Sequence, residues 1–148
     1  MIVGSFDHTI DPKNRVFIPS KWREELGGEV VINPAKVNGK YKILELRSAA
    51  DFEKYISKFS VMRETDNRDV MRLKLSQADN CTVDKQGRIL LKDSLKKYAG
   101  FGQNVTLSSM SDGVNNVVEI WDTDKFYEWM DVMDETDVGE ESMKERGL

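Results

Sequence analysis

The sequence predicts a mainly β chain with short helices, an α+β protein made of two similar modules in tandem. Three observations carry this. A phrase repeats: His8-Thr9-Ile10-Asp11-Pro12-Lys13-Asn14-Arg15-Val16-Phe17-Ile18 returns 73 residues later as Cys81-Thr82-Val83-Asp84-Lys85-Gln86-Gly87-Arg88-Ile89-Leu90-Leu91. Short apolar runs bounded by Pro, Gly, Asn and Asp have the length of strands. Each half closes with apolar residues at the i, i+3, i+4, i+7 spacing of a helix packed along one side. A long phrase repeated once makes the chain an internal pseudo-dimer.

The elements follow in order. Residues 6–10 alternate in part and form a strand, which Asp11-Pro12-Lys13-Asn14 breaks; Asp84-Lys85-Gln86-Gly87 does the same in the second copy. Asn14 and Gly87 share a position, and both residue types tolerate positive φ, so a turn needing that geometry is expected just before the Arg. Arg15 and Arg88 then open the strands Val16-Phe17-Ile18 and Ile89-Leu90-Leu91. Strand, tight turn and strand read as a hairpin with Asp and Arg at its mouth. A short helix comes next, capped by Ser20 or Asp93. Trp22 and Leu26, or Leu95 and Ala99, lie one turn apart on it. Gly27 and Gly100 suit the left-handed position after its end.

One inserted residue then moves the offset to 74, matching Val31 with Val105 and Ile43-Leu44-Glu45-Leu46 with Val117-Val118-Glu119-Ile120. Two strands per half are expected, 30–32 and 41–46 around an Asn38-Gly39 turn, then 105–107 and 117–121. Ser48 and Thr123 cap the closing helices. Their apolar residues Phe52, Tyr55, Ile56 and Phe59 match Phe126, Trp129, Met130 and Met133 and read as core or subunit contact. Residues 64–76 have no counterpart and read as a connecting helix. Its cations (Arg63, Arg68, Arg72, Lys74) are balanced by Glu64, Asp66 and Asp69. The modules are placed at 5–48 and 77–123, with a helical connector at 49–76 and a helix plus acidic tail at 124–148.

Composition narrows the function. The chain has 148 residues, 39% hydrophobic and 32% charged, which suits a modest core. Modules of roughly 45 residues bury little surface alone and should lean on each other or on neighbouring chains. No apolar run reaches membrane-spanning length, and the N-terminus lacks a signal peptide's regions, so a cytoplasmic protein is expected. The lone Cys81 cannot form an internal disulfide and reads as a buried, inert thiol. The net charge of −4 speaks against nucleic acid until its distribution is considered. From Asp131 onward there are seven acidic and two basic residues, which leaves the body of the chain at +1. Such an acidic end reads as solvated.

The repeated turn carries the chemistry. An Asp four residues before an Arg can accept backbone N–H bonds within the turn and also orient the guanidinium. That guanidinium can give two parallel hydrogen bonds to phosphate or to a guanine edge. Lys13 and Lys85 lie on the same turns, and Lys21 and Arg23 follow in the first short helix. Together they suggest a basic strip in which phosphate contacts supply affinity and one or two arginines read bases. The competing reading is an Asp–Arg pair that only staples each turn. An exposed pair of that kind is worth about 0–1 kcal/mol, a poor reason to place it at both turns.

In the contexts IDPKNRVFIP and VDKQGRILL, with the segment IPSKWREEL and an aromatic helix after each module, the chain resembles the MraZ family of bacterial transcriptional regulators. The resemblance runs from Gly4 to about Met133. It implies two tandem SpoVT-AbrB-like modules packed as a swapped-hairpin, pseudo-dimeric β-barrel, with a helix after each module. It further implies ring-shaped homo-oligomers, association with the nucleoid, and binding to short direct repeats in promoter DNA of a division and cell-wall gene cluster, including the chain's own promoter. By matching motif positions, it makes Arg15 and Arg88 the leading DNA contacts and Asp11 and Asp84 their organisers. Two features depart from it: Lys92 stands where such families often carry Pro, and the acidic tail is unexplained.

An enzyme is the weaker alternative. His8 is the only histidine, its repeat mate is Cys81, and no catalytic triad, metal quartet or phosphate-cradling loop appears. No cofactor or metal is expected. Asp7, Asp11 and Glu45 could approach a hard cation, but their spacing gives no specific signal. A non-enzymatic protein-interaction scaffold, using Trp129 and Tyr127, is the other alternative.

Overall fold

The computed structural model describes residues 1–61, 64–113 and 115–136, and their side chains except at 60–67 and 136. The protein is α+β. Strands β1 (Ser5–Thr9) and β2 (Arg15–Phe17), helix α1 (Ser20–Leu26), strands β3 (Glu29–Val37) and β4 (Tyr41–Ser48) and helix α2 (Ala49–Ser57) make the first half. A 3-10 turn (Lys58–Val61) and helix α3 (Glu64–Gln77) lead to the second. There β5 (Asp79–Thr82), β6 (Arg88–Leu90), α4 (Asp93–Ala99), β7 (Asn104–Ser111), β8 (Asn116–Asp122) and α5 (Thr123–Thr136) repeat the order.

The halves are interleaved. Six strands form an antiparallel sheet in the order β1-β7-β8-β4-β3-β5, while β2 and β6 pair only with each other. Exchanging the halves reverses the order of the sheet and leaves it unchanged. The pseudo-two-fold axis passes between β4 and β8, where Glu45 faces Glu119. The expected hairpins are therefore corrected. Each turn closes locally, Asp11 N–H donating to the Arg15 carbonyl (3.0 Å) and Asp84 N–H to that of Arg88 (2.9 Å). The strands on either side then diverge, and each finds its partner in the other half. The expected barrel is corrected too. The sheet stays open, with β1 and β5 as its edges, and the short β2–β6 ribbon lies over one face.

Burial explains this arrangement. Val16 and Ile18 from the first half and Ile89 and Leu91 from the second are almost completely enclosed, in one cluster with Trp22, Leu95, Leu44, Leu46, Val118 and Ile120. Neither half supplies enough apolar surface to fill such a core by itself, so each half completes its core with the strands of the other. The other face of the sheet carries Tyr41, Ile43 and Trp121, covered by Phe126 and Trp129 of α5.

Details at the helix ends differ from expectation. Pro19 and Lys92 occupy the N-cap positions of α1 and α4 without side-chain capping bonds, and Ser20 and Asp93 are already helical. The Asp93 carboxylate instead accepts from the Asn14 side-chain amide (2.8 Å). Ser48 does cap α2, accepting from Asp51 N–H at 3.1 Å. Thr123 does not cap α5; Thr106 donates to its hydroxyl, and Asp122 accepts from Lys125 N–H. Gly100 is left-handed (φ 64, ψ 32), whereas Gly27 combines positive φ with extended ψ (78, −171). The repeat register also shifts. Val30 pairs with Ser48 as Val105 pairs with Asp122, so Val30, not Val31, is the mate of Val105. The longer second linker, Gly100-Phe101-Gly102-Gln103-Asn104 against Gly27-Gly28-Glu29, accounts for the shift. Arg63 and the tail beyond Thr136 lie outside the described residues.

Candidate nucleic-acid interface

The two turns are built alike, atom for atom. One carboxylate oxygen of Asp11 accepts from the backbone N–H of Lys13 (2.9 Å) and of Arg15 (2.8 Å). The other accepts from Arg15 Nε at 2.7 Å. Asp84 does the same with Gln86 N–H (2.9 Å), Arg88 N–H (2.8 Å) and Arg88 Nε (2.9 Å). At Asp11 partial burial works against the charged form, but the bonds from Arg15 and Lys13 outweigh it and hold the carboxyl below its ordinary range. At Asp84 the Arg88 N–H bond is the largest influence, in the same direction, and burial opposes it. Among the described residues each of these arginine side chains bonds through Nε alone, so the outer edge of each guanidinium keeps its paired donors.

The ribbon presents these edges on one face. Arg15 lies opposite Leu90, and Arg88 opposite Phe17. Strand alternation puts all four on the side away from the buried Val16 and Ile89. Diagonal neighbours of this kind stand roughly 7–8 Å apart. Asn14 and Gly87 both have positive φ (60 and 82), and their carbonyls accept from Leu91 N–H and Ile18 N–H (2.8 Å each), which ties the turns together.

The other expected site residues divide. Arg23 reaches across to the second turn. Its Nε donates to the Ile18 carbonyl (2.8 Å), and its guanidinium lies over Phe17 and against Gly87. A Cβ at Gly87 would overlap that guanidinium, a second reason for glycine there beside its φ. Lys96, the repeat mate of Arg23, donates in the same manner to the Asn14 side chain at 3.1 Å. Lys13 and Lys85 are exposed on the turns. Lys21 sits instead over Phe6 of β1, 5.8 Å from its ring centre.

Among the described residues there is no group of three or more potential metal ligands, and no helix is long and apolar enough to cross a membrane. His8 stacks on Phe17, and burial lowers its pKa against the pull of Asp7. The Cys81 thiol is buried and pushed up to about 12, first by burial and then by Asp79, which leaves it unreactive.

Sequence reasoning missed a buried cation. Arg47, 2% exposed, donates to Asn33 and Glu45 (3.1 Å each), stands 3.9 Å from the Asp112 carboxylate and lies on the Tyr55 ring (3.8 Å). Its repeat mate is Trp121, so the repeat gave no warning of it. It missed the exposure of Phe17 and Leu90 as well, although strict alternation after each Arg was signal enough.

Comparison with known proteins fits this architecture. A family model described as "MraZ protein, putative antitoxin-like" matches residues 1–73 and again 75–146, once per half. The chain is 33% identical over 148 residues to the transcriptional regulator MraZ of Clostridium tetani and 30% identical over 148 to that of Clostridium acetobutylicum, with both proteins of each pair covered completely. It is 34% identical over 145 residues to that of Thermoanaerobacter sp., covering 98% of this chain and 95% of the relative. With a doubled match, full-length relatives and two identically braced Asp–Arg turns, the chain belongs to the MraZ family.

Proposed function

We propose that the chain is a sequence-specific DNA-binding transcriptional regulator. It acts on the division and cell-wall gene cluster, including its own promoter, and engages short direct repeats as a ring-shaped homo-oligomer. The observation that carries this reading is the duplicated, pre-oriented guanidinium on one exposed ribbon. A two-stranded ribbon fits the major groove, and two arginines whose backbone positions stand roughly 7–8 Å apart start about two base steps from each other. Arg15 and Arg88 are the base or phosphate contacts, Lys13, Lys85 and Arg23 supply positive potential beside them, and Lys21 contributes only at longer range. Asp11, Asp84, Asn14 and Gly87 organise the turns. The relatives' description as transcriptional regulators supports the assignment. A ring would present many ribbons to successive repeats, so effective concentration multiplies modest single contacts.

The test is a gel shift of the purified chain on the region upstream of its own gene. Wild type is expected to bind steeply with salt and with repeat number. Arg15→Ala/Arg88→Ala should keep its assembly and lose binding by about 100-fold or more. Binding by the double variant equal to wild type would remove the arginines from the interface, and no shift by wild type at low salt would leave the scaffold reading, in which the α5 face around Tyr127 and Trp129 meets a partner protein.

A further inference from the structure

Between the arginines the ribbon carries an apolar centre. Phe17 is 43% exposed and Leu90 59%, although both point away from a core that has room for neither. Each stands directly opposite the other half's arginine, so the face reads Arg15 beside Leu90 and Phe17 beside Arg88. Exposed large side chains side by side in two three-residue strands have a cost in water, and nothing within the described chain covers them. Phe17 is not loose: its ring stacks on His8 (centroids 6.5 Å apart, planes 24° apart), and the Arg23 guanidinium lies 5.4 Å from its centre. Leu90 is held through its backbone, paired with Arg15 across the ribbon, and Cys81 Sγ lies 3.6 Å from its carbonyl. The position is thus held on both strands, and cationic groups flank it.

We propose that Phe17 and Leu90 are specificity-determining contacts to the 5-methyl groups of thymine in duplex DNA. This rests on the DNA-binding reading above and deepens it. Thymine is the one base whose major-groove edge carries an apolar group, and apolar side chains are its natural complement. The flanking guanidinium edges favour phosphate and guanine, so the mixed face matches a groove in which thymine methyls lie next to hydrogen-bond acceptors. A second copy of this chain would have to place its own surface against two partly solvated arginines, which the charge on this face disfavours. Because Phe17 and Leu90 differ, the two ends of the ribbon are unlike. The site they read therefore need not be a palindrome, although the backbone is two-fold.

The experiment compares the full-length chain on two versions of one probe, the duplex upstream of its own gene. One version carries thymine and the other carries deoxyuridine at every thymine, so that only the methyl groups are lost. Wild type should bind the deoxyuridine duplex more weakly, by about fourfold for each methyl contacted. Phe17→Ala/Leu90→Ala should bind the thymine duplex as weakly as the other and show no preference. Equal binding of both duplexes by wild type overturns the proposal without any variant. So does a Phe17→Ala/Leu90→Ala protein that keeps the full preference, including one whose sedimentation shows a changed subunit number, which would give this face to a second copy. Arg15→Ala/Arg88→Ala separates the two readings. If wild type binds neither duplex at low salt, both readings fall; if the arginine variant binds like wild type, the arginine assignment alone falls. If it loses both duplexes while wild type treats them alike, only the thymine assignment falls.

Discussion

At the scale of single residues, the repeated turn shows how one carboxylate can do two jobs. Asp11 and Asp84 each tie two backbone N–H groups and one Nε, so the turn and the arginine rotamer are set together. Both carboxyls lie below the ordinary aspartate value of 3.8, and what they contribute is present above that value and lost as pH falls through the lowered one. Carboxyl carbon titrations by NMR should therefore give midpoints below 3.8 for these two groups, with the Arg15 and Arg88 Nε–H signals changing in step. The Asp–Arg spacing was legible in the sequence because all its bonds are local. The crossing of Arg23 to Gly87 was not, since those residues are brought together only by a strand pairing between halves. Phe17 and Leu90 were legible in principle, as the alternate residues after each arginine, but an apolar residue beside an apolar run is read first as core.

At the scale of elements, pairing across the axis sets the electrostatics of the sheet. Glu119 faces Glu45 on the central strands. Burial raises its pKa, the Trp121 indole N–H bond lowers it, and Glu45 raises it further. An acid raised in the folded state favours folding below its unfolded pKa and disfavours it once ionised. Glu119→Gln keeps an acceptor for Trp121 and removes the like charge. It should stabilise the protein by about 0.2–1 kcal/mol at pH 7, with the gain vanishing below about pH 4.3, as thermal melts at both pH values would show. Glu45 is already compensated by Arg47, which explains why the tension falls on its mate. Helices and strands were legible in the sequence because periodicity reports them. Their partners were not, because a period of two is the same whether the neighbouring strand comes from the same half or the other. The caps at Ser20 and Asp93 were misplaced for a similar reason: Asp93 has a better partner in Asn14 of the opposite turn.

At the scale of the whole molecule, the interleaved sheet makes the two halves one folding unit. β1 takes its hydrogen bonds from β7, β2 from β6, and β4 from β8 as well as β3. A fragment of residues 1–61 would leave Val16, Ile18, Leu44 and Leu46 without the second half's Ile89, Leu91, Val118 and Ile120. Each half expressed alone should lack a cooperative thermal transition by circular dichroism, while the two mixed together should recover one. A half that melts cooperatively as a monomer would contradict the exchange. The doubling itself was plain in the sequence, down to an axis at Glu45 and Glu119. The one-residue slip at Val30 and Val105 was hidden by unequal linkers that only hydrogen bonding resolves.

Strand exchange also has a consequence for synthesis. As the polypeptide leaves the ribosome, β2 waits for a partner that begins at Arg88, and β4 waits for one that ends at Asp122. More than four-fifths of the chain must emerge before the first half can close. Until then its bare edges and unfinished interior face the crowded cytosol, so a pause late in translation would prolong the nascent protein's most vulnerable interval.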